Sequence, residues 1–375
     1  MANKGRLTTG IFCLFLAGLL AWHIALPDRA RSETENRTLA QFPDFSWETL
    51  KNGSFTAGME DYFADQFPLR DDWTGLKARC EQMLGKREFN GVYLCGDTLI
   101  AKVDEPDRLQ AEKNLDYVKR FGEASHGRVL LGLIPSAAEV WKDRLPQGAP
   151  SFDQAAFIQN AAEKTGLPTV DLLGALTEHA GEPIYYRTDH HWNNIGSYRG
   201  YREAAALLGC TDLLEPLETA RVDNHFSGSK ALLTGAQEQF FEPMDLYRFA
   251  FPNMSVTIAG EPADDYGRQD AALSGQIAGA SYSGIYGNDD GEIILDTGTA
   301  GRGNLLMIGE SYDNAILKLI AAHFDRVYSV DLRSYEQDMG KPFRMAEYLR
   351  EHDITKVLWI GSLMFYTSDV FTLED

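Results

Sequence analysis

The sequence predicts an α/β fold in which a mostly parallel sheet is covered by helices on both faces, preceded by an N-terminal membrane helix and carrying an irregular insertion. Short, continuous apolar runs alternate with amphipathic helical stretches, which is typical of parallel strands buried on both sides. A further apolar run at the N-terminus approaches the length that crosses a bilayer. The 375 residues, 44% of them hydrophobic, are ample for a sizeable core.

The N-terminal run indicates export. Lys4 and Arg6 precede the apolar segment Gly10–Leu26, and charged residues follow it. This pattern is typical of a signal peptide or signal-anchor, which we assign to residues 1–27. The basic end is expected in the cytoplasm and the rest of the chain outside it. Because no A-x-A cleavage site follows, we favour a retained anchor over a cleaved peptide; a buried core helix is the alternative.

Two further segments precede the predicted sheet. Residues 28–46 are charged and irregular, and we interpret them as a linker. Residues 47–375 then form the predicted α/β domain, beginning with a helical region over 47–85 that Pro68 divides into two helices. A short hairpin over 90–100, turning at Gly96-Asp97, follows that region.

The alternation of strands and helices begins with the apolar run RVLLGLIP. The predicted strands cover 128–135, 168–173, 304–308, 326–331 and 356–361, and the predicted helices cover 109–121, 152–165, 194–208, 314–324 and 343–351. Residues of about 211–300 interrupt this rhythm, because Gly, Asp and Asn are frequent and no helix is convincing there. We interpret that segment as an insertion with some hairpins.

Charge and cysteine content restrict the function further. The chain carries 35 basic and 55 acidic residues, a net charge of −20, which argues against a nucleic-acid partner because such binding depends on Lys and Arg at phosphates. Neither a dinucleotide-binding nor a P-loop glycine motif is present, so no cofactor is expected. Of the three cysteines outside the anchor, Cys80 and Cys95 form the nearer pairing and Cys210 is left over. We expect none of them to be catalytic.

The residues suited to chemistry fall in three segments. The segment from Tyr185 to Gly196 reads YYRTDHHWNNIG and combines an acid with two imidazoles before a predicted helix. The segment LLMIGESYD places Ser311 in the turn after a buried strand. In open α/β sheets ligands bind at the carboxyl ends of strands, and the following helix presents free N–H groups there. Ser136 follows the strand at 128–135 and is expected at the same edge.

These parts match the requirements of nucleophilic catalysis. A serine needs an adjacent base to take its proton, and an imidazole serves best when a carboxylate orients it. Ser311, one of His190 and His191, and Asp189 supply the three groups. Known triads occur in several chain orders, so the order Asp, His, Ser is acceptable.

Other interpretations of the same residues remain open. Ser311 is compatible with a simple helix N-cap. Asp189, His190 and His191 are compatible with a metal site, although His225 and Cys210, the only nearby further ligands, lack a familiar spacing. Trp192 fits an ordinary core position. Tyr185, Tyr186 and Arg187 suit either a strand or a sugar-binding surface.

The motif Asp189-His190-His191-Trp192 resembles the signature of the bacterial DHHW protein family. Further similar segments are Glu35-Asn36-Arg37, Phe226-Ser227-Gly228 and Gly309-Glu310-Ser311-Tyr312. The chain is more distantly similar to exported alginate O-acetyltransferases, whose domain is an SGNH-hydrolase-like three-layer sandwich with a permuted motif order. The resemblance implies Ser311 as nucleophile, His191 as base and Asp189 as orienting carboxylate. Glu310 departs from the usual Gly-Asp-Ser pattern of that fold.

These observations lead to an expected function. We expect a membrane-anchored, extracytoplasmic serine O-acetyltransferase or acetylesterase acting on an exported polysaccharide, and the resemblance implies a membrane-bound partner that supplies acetyl groups. The expected oxyanion and substrate contacts are Tyr312, Asn194, Ser136, Arg187, Tyr185, Trp192 and His190. The alternatives are a non-catalytic polysaccharide-binding or assembly protein with the same fold, and a metal-dependent hydrolase.

Overall fold

The computed structural model describes residues 2–32, 37–277, 279–369 and 371. Glu35 and Asn36, which contribute to the family resemblance, lie outside the described residues. The chain divides into two units, one comprising Met1–Asn90 with Ala231–Phe240 and the other Gly91–Lys230 with Phe241–Asp375.

The first unit is helical and begins with one long apolar helix. Its segment Gly5–Ala25 has a mean hydropathy of 1.9 and is long and apolar enough to cross a membrane. The elements are α1 (Ala2–Ala25), the antiparallel pair β1 (Arg31–Ser32) and β2 (Arg37–Thr38), α2 (Trp47–Lys51), α3 (Ser54–Asp65), α4 (Arg70–Met83) and β3 (Glu88–Phe89). The interruption between α3 and α4 contains Pro68, as the sequence predicts. A further interruption after α2 makes three helices in this region, where two were expected.

The second unit carries the sheet and most of the remaining helices. Its first half contains β4 (Val92–Cys95) and β5 (Thr98–Ala101), which form the predicted hairpin, then α5 (Arg108–Ala124), β6 (Val129–Ile134), α6 (Ala137–Val140), α7 (Gln154–Thr165), α8 (Leu172–Glu178), α9 (Asn194–Leu207) and β7 (Glu218–Phe226). The short helix α10 (Ser229–Leu233) runs across the boundary at which the chain passes to the first unit.

The second half begins with β8 (Glu242–Arg248), β9 (Ser255–Ile258), β10 (Glu261–Ala263), α11 (Gln269–Leu273), α12 (Tyr282–Tyr286) and β11 (Glu292–Asp296). It ends with β12 (Asn304–Ile308), α13 (Asn314–Ala321), β13 (Arg326–Val330), α14 (Tyr335–Met339), α15 (Met345–Glu351), β14 (Ile354–Ser362) and α16 (Leu363–Thr367). The strands and helices predicted after residue 300 are therefore present.

The main sheet has seven strands in the order β10-β9-β11-β13-β12-β14-β6. Strands β13, β12, β14 and β6 are parallel, whereas β10, β9, β11 and β13 pair antiparallel. The expectation of a mostly parallel sheet is therefore wrong, because the sheet is mixed. The reason lies in residues 211–300, where β9 and β10 are joined by only Ala259 and Gly260, and a two-residue turn permits antiparallel pairing alone.

Two other expectations at element level are wrong. A strand was expected over 168–173, but only Thr169 forms a parallel bridge, to Leu131, before α8 begins at Leu172. No helix was expected over 211–300, yet α10, α11 and α12 lie there, each five residues long. A helix of that length is too short to show the 3.6-residue period from which helices are predicted.

Helices cover both faces of the sheet and bury its strands, which gives the expected three-layer arrangement. Successive side chains of a strand point to opposite faces. Leu305 and Leu358 accordingly belong to the core shared with α9 and α13, and Leu306 and Trp359 to the core shared with α5 and α15. All four side chains are fully buried. This packing holds the carboxyl ends of the parallel strands in place.

The described ranges include all four cysteines, and each of them is a free thiol. The pairing of Cys80 with Cys95 that the spacing favoured is therefore not formed. Cys95 lies in the second unit, where burial raises the pKa of its thiol. A raised pKa lowers the thiolate fraction, which agrees with the expectation that this cysteine is not a nucleophile.

Candidate active site

The candidate site lies where three parallel strands end. Ser136, Ser311 and Ser362 follow or close β6, β12 and β14, which are neighbours in the sheet. A buried strand ends at Ile308, and Gly309 and Glu310 then carry the chain into the turn that holds Ser311. The sequence placed Ser311 and Ser136 at this edge, and both line one cavity there.

Three of the predicted residues form a continuous line of polar contacts. Nε2 of His191 lies 2.8 Å from Oγ of Ser311, and Nδ1 of His191 lies 2.6 Å from Oδ1 of Asp189. The two distances are those of good hydrogen bonds. His191 is almost fully buried, so the line is shielded from bulk water. This arrangement has the geometry in which an imidazole takes the proton of a serine while a carboxylate fixes its tautomer.

Asp189 is held by backbone donors on both of its oxygens. Oδ1 accepts the N–H of His191 at 3.0 Å, and Oδ2 accepts the N–H of Ser229 at 2.8 Å. Burial alone would raise the pKa of Asp189, but the neighbouring His191 and these hydrogen bonds outweigh it and hold the pKa far below the usual range. Asp189 is therefore a carboxylate at every ordinary pH, as an orienting group must be.

Aromatic rings hold the imidazole of His191 in position. The ring of Tyr282 stacks on it with a centroid distance of 3.6 Å and an interplanar angle of 1°. On the same motif, Nε1 of Trp192 donates to the carbonyl of Tyr312 at 2.9 Å, and the hydroxyl of Tyr312 donates to the carbonyl of His190. These two bonds tie the DHHW segment directly to the segment of Ser311.

Two glycines allow the segments to approach closely. A Cβ at Gly228 would lie 2.3 Å from Cβ of Asp189, and one at Gly309 would lie 2.4 Å from the carbonyl oxygen of Ile360. Both distances are shorter than atoms tolerate, so any side chain at either position would displace its neighbour. The close packing of Asp189 and of the turn before Ser311 therefore requires glycine at these positions.

Glu310 contacts the serine from the other side. Oγ of Ser311 lies 3.0 Å from Oε2 of Glu310, and Oε1 of Glu310 accepts the N–H of Ser362 at 2.8 Å. The serine hydroxyl has one proton and therefore donates either to Glu310 or to His191. Glu310, the residue that departs from the Gly-Asp-Ser pattern, thus braces the turn against the end of β14.

A cavity of about 250 Å³ opens beside Ser311. Three of the expected substrate or oxyanion residues, Ser136, His190 and Tyr312, line it. The remaining lining residues are Ala101, Lys102, Val103, Ala137, Ala138, Gln154, Lys230, Glu310, Arg333, Ser362, Leu363, Met364, Phe365 and Ser368. The backbone N–H groups of Ser311 and Tyr312 have no protein acceptor within the described ranges, so they remain available at this cavity.

The other four expected contact residues do not line this cavity. Tyr185 and Trp192 are fully buried, and the hydroxyl of Tyr185 donates to the carbonyl of Pro135 at 2.6 Å. Asn194 is buried at the start of α9. Arg187 pairs with Asp97 at 2.9 Å. Their contact with a substrate stays a prediction.

Three residues of the site were missed by sequence reasoning. Ser229 and Tyr282 contact Asp189 and His191 from the short helices α10 and α12, which have no detectable period. Lys230 lies buried at the cavity, and its Nζ donates to the carbonyls of Leu99 and Tyr186. Burial lowers the pKa of Lys230 to about 8, against the opposing effect of Asp189 and Glu242. The sequence pointed to this region only through Gly228, next to Ser229, which belongs to a segment similar to the DHHW family.

The contacts of His191 argue against a metal ion bound by Asp189, His190 and His191. One ligand atom each of Asp189, His190 and His191 lies within 4.8 Å of the others. Both ring nitrogens of His191, however, are engaged, by Asp189 and by Ser311. A metal ligand needs a free lone pair, so this histidine would bind an ion only by giving up one of those two contacts.

Two family models match parts of the chain. Residues 102–257 match the family model for the SGNH hydrolase-like domain of the acetyltransferase AlgX, and residues 35–125 match the DHHW protein model. The DHHW motif itself falls within the AlgX-type segment. The resemblance to both groups predicted from the sequence is thereby confirmed.

Two curated relatives are named probable alginate O-acetylase AlgJ. The protein of Pseudomonas fluorescens is 25% identical over 214 residues, 53% of this chain and 51% of the relative. The protein of Pseudomonas syringae pv. tomato is 24% identical over 185 residues, 46% of this chain and 47% of the relative. The chain thus spans about half the length of the curated relatives it matches.

Two solved structures share the fold. A DHHW family protein from Eubacterium siraeum aligns with a TM-score of 0.62 and 18% identity, covering 75% of this chain and 94% of that one. PatB1 of Bacillus cereus with a sulfonyl adduct aligns with a TM-score of 0.60 and 19% identity, covering 76% of this chain and 98% of that one. These two structures show the fold, and the family model that matches residues 102–257 describes this domain as SGNH hydrolase-like.

Proposed function

We propose that this chain is a cell-envelope serine O-acetyltransferase or acetylesterase that acts on an exported polysaccharide. The observation that carries the proposal is the unbroken line from Asp189 through His191 to Ser311 at the edge of an SGNH-like sheet. The names of the curated relatives, probable alginate O-acetylases, support an acetylated polysaccharide as the substrate class.

The proposed reaction proceeds through an acetyl-serine. Oγ of Ser311 attacks the acetyl carbonyl of the donor while Nε2 of His191 takes the hydroxyl proton. Asp189 stabilises the resulting imidazolium. When the tetrahedral intermediate collapses, the bond to the donor oxygen breaks, and that oxygen leaves with the proton from His191. The acetyl group is then bound to Ser311.

The second half of the reaction reverses the roles. A sugar hydroxyl, or water in the esterase version, loses its proton to His191 as its oxygen attacks the acetyl carbonyl, and Ser311 recovers its proton as it leaves. In this proposal the N–H groups of Ser311 and Tyr312 stabilise the oxyanion in both halves. Transfer to a sugar requires that the cavity exclude water when the acceptor is bound.

The first helix supports a proposed position of the protein in the cell. We propose that α1, within residues 1–27, is the anchor, and that the linker of residues 28–46 and the domain of residues 47–375 both lie outside the cytoplasm. The resemblance to alginate O-acetyltransferases implies a membrane-bound partner that would supply acetyl groups to Ser311. With this topology the domain and an exported polysaccharide lie on the same side of the membrane.

Hydrolysis of a chromogenic acetate ester by the full chain in detergent tests the proposal. Ser311→Ala is expected to lower turnover by about 10⁴-fold or more, since a triad acts as a unit. Ser368→Ala is the matched control, because Ser368 lines the same cavity but belongs to neither the triad nor the oxyanion donors. Addition of an acceptor polysaccharide separates transfer to sugar from hydrolysis.

Each outcome of this assay is informative. Equal turnover in wild type and Ser311→Ala would contradict the proposal, and loss of that turnover on chelation would favour a metal-dependent hydrolase. Absence of turnover in both proteins, together with retained polysaccharide binding, would favour the non-catalytic binding protein.

A further inference from the structure

The first unit exposes a group of large aromatic side chains close to the end of its apolar helix. Phe42, Phe45 and Trp47 are 58%, 57% and 71% exposed. We call these three residues the aromatic patch. Contiguous apolar surface of this kind is uncommon on soluble proteins and marks a protein or membrane contact. Neither the proposed triad nor its cavity uses any of the three residues.

A series of ring contacts joins the aromatic patch to α1. The ring of His23, in the last turn of α1, lies 5.5 Å from that of Tyr62, and Tyr62 lies 5.4 Å from Phe42. Phe55 continues the series, 6.5 Å from Phe42 and 5.2 Å from Phe45. Phe45 in turn lies 5.7 Å from Trp47. The patch is therefore continuous with the end of the apolar helix.

Polar contacts fix the same arrangement. The hydroxyl of Tyr62 donates to Oδ1 of Asp28 at 2.8 Å, immediately after α1. Nδ1 of His23 lies 3.1 Å from the carbonyl of Gln66, whose side chain binds the backbone of Arg29. The helix α3, which carries Tyr62 and Phe55, is thus attached to the last turn of α1 and to the residues that follow it.

We propose that the aromatic patch lies in the headgroup region of the bilayer that α1 spans and forms a second membrane contact. The proposal rests on the proposed anchoring by α1. Aromatic side chains favour the membrane–water interface, where a ring meets both apolar and polar surroundings. Continuity with the end of a membrane span favours lipid over a protein partner as the occupant, because the span itself brings lipid headgroups to this level.

Quenching of tryptophan fluorescence by brominated lipid tests the proposal. The full chain is placed in phosphatidylcholine nanodiscs, with or without lipids brominated near the headgroup end of their acyl chains. Trp22, within α1, reports the span, and Trp22→Phe removes that signal. The three tryptophans of the second unit, Trp141, Trp192 and Trp359, are buried. Quenching that remains in the Trp22→Phe protein is then expected from Trp47.

Further substitutions in the Trp22→Phe background assign the remaining signal. Trp47→Phe is expected to abolish the quenching by brominated lipid. Trp73→Phe is the matched control and is expected to preserve it, because Trp73 is also exposed, at 49%, but belongs to α4 and not to the series of rings. Both substitutions replace one exposed ring by another, so the fold is expected to persist.

The possible outcomes distinguish failure of the proposal for the aromatic patch from failure of the proposed membrane anchor. Quenching of the wild type but not of the Trp22→Phe protein would overturn the proposal while leaving the anchor intact, and would point to a protein as the occupant of the patch. Loss of quenching with Trp73→Phe instead of Trp47→Phe would overturn it as well. Absence of quenching in the wild type would contradict the membrane span itself.

Discussion

The two adjacent histidines of the motif have different surroundings. Both ring nitrogens of His191 are engaged, one with Asp189 and one with Ser311. Nδ1 of His190 instead lies 2.6 Å from Oγ of Ser229, and its side chain is 45% exposed. Of the two histidines, His191 is therefore the one that lies within hydrogen-bond distance of Ser311, which agrees with the role that the family resemblance implies.

Alanine variants of the two histidines are expected to differ sharply. His191→Ala should lower turnover of the acetate ester by about 10⁴-fold or more, because the serine loses its base. His190→Ala should retain most of the turnover. Steady-state kinetics of both variants measure this difference. The double variant Ser311→Ala/His191→Ala should be no slower than Ser311→Ala alone, and full activity in His191→Ala would refute the assignment.

The burial of Lys230 predicts how the free energy of unfolding depends on pH. Its pKa falls from 10.5 to about 8 on burial, so between these values the unfolded chain binds more protons than the folded one. The free energy of unfolding must therefore rise with pH in this window. The contribution of Lys230 reaches up to about 3 kcal/mol, at 1.36 kcal/mol per pKa unit. Below its folded pKa the full penalty of the buried charge is present.

Urea unfolding of wild type and Lys230→Met in detergent, at about pH 7 and about pH 10, measures this contribution. The stability of the wild type relative to Lys230→Met should increase at the higher pH. Lys341→Met is the matched control, because Lys341 is exposed, and its difference from the wild type should not change. An equal pH response in wild type and Lys230→Met would refute the prediction.

At the scale of elements, the segment that joins β7 to α10 sets the position of Asp189. Gly228 packs on the carboxylate residue, and the next residue donates its N–H to it. Gly228→Ala would place a Cβ 2.3 Å from Cβ of Asp189, so the carboxylate and with it His191 must move. A shift of about 1 Å in such a group costs up to about 100-fold in rate.

Gly228→Ala should therefore lower kcat/KM for the acetate ester by about 100-fold. The φ of Gly228 is not in the positive range, so backbone strain does not contribute. Gly181→Ala is the matched control, since a Cβ there meets no atom within 4 Å, and should keep wild-type kinetics. Equal activities of the two variants, each with a native circular dichroism spectrum, would show that the packing at Gly228 does not position the triad.

Elements with a clear periodic pattern could be predicted from the sequence, and very short ones could not. Strand β12 and helix α13 have clear apolar patterns. The strand was predicted with its observed bounds, and the helix was predicted with its observed start but with an end three residues too late. Helices α10 and α12 are only five residues long, and their contribution to the site depends on tertiary contacts that leave no periodic signal. The stacking of Tyr282 on His191 was therefore beyond prediction. Hairpins were expected over residues 211–300, and β9 with β10 forms one, but its addition to the main sheet through β11 was not predicted.

At the scale of the whole molecule, the site depends on two segments 120 residues apart. Sequence reasoning placed Ser311 at a strand end because a buried strand precedes it. It placed Asp189 and His191 in the same site only through the chemistry that a serine needs and the family resemblance. No periodicity connects the segments, since their contact follows from the sheet order and from hydrogen bonds such as that of Trp192 to Tyr312.

The proposed export of the chain predicts the side of the membrane on which Cys80 lies. Cys80 is exposed and follows α1 in the chain. A protein with Cys13, Cys95 and Cys210 replaced by Ser should react with a membrane-impermeant maleimide on intact spheroplasts. A further Cys80→Ser substitution removes the label and is the control. Labelling only after the membrane is permeabilised would place this part of the chain in the cytoplasm and contradict the proposed topology.

Mapping of the acetyl group after rapid acid quenching tests directly whether Ser311 is the nucleophile. The full chain is mixed with the acetate ester and quenched during turnover, and its peptides are analysed by mass spectrometry. The account predicts one acetyl group on Ser311, absent from the Ser311→Ala protein. An acetyl group that forms on a different residue as fast as the ester is turned over, with Ser311 unmodified, would contradict the assignment of Ser311 as nucleophile.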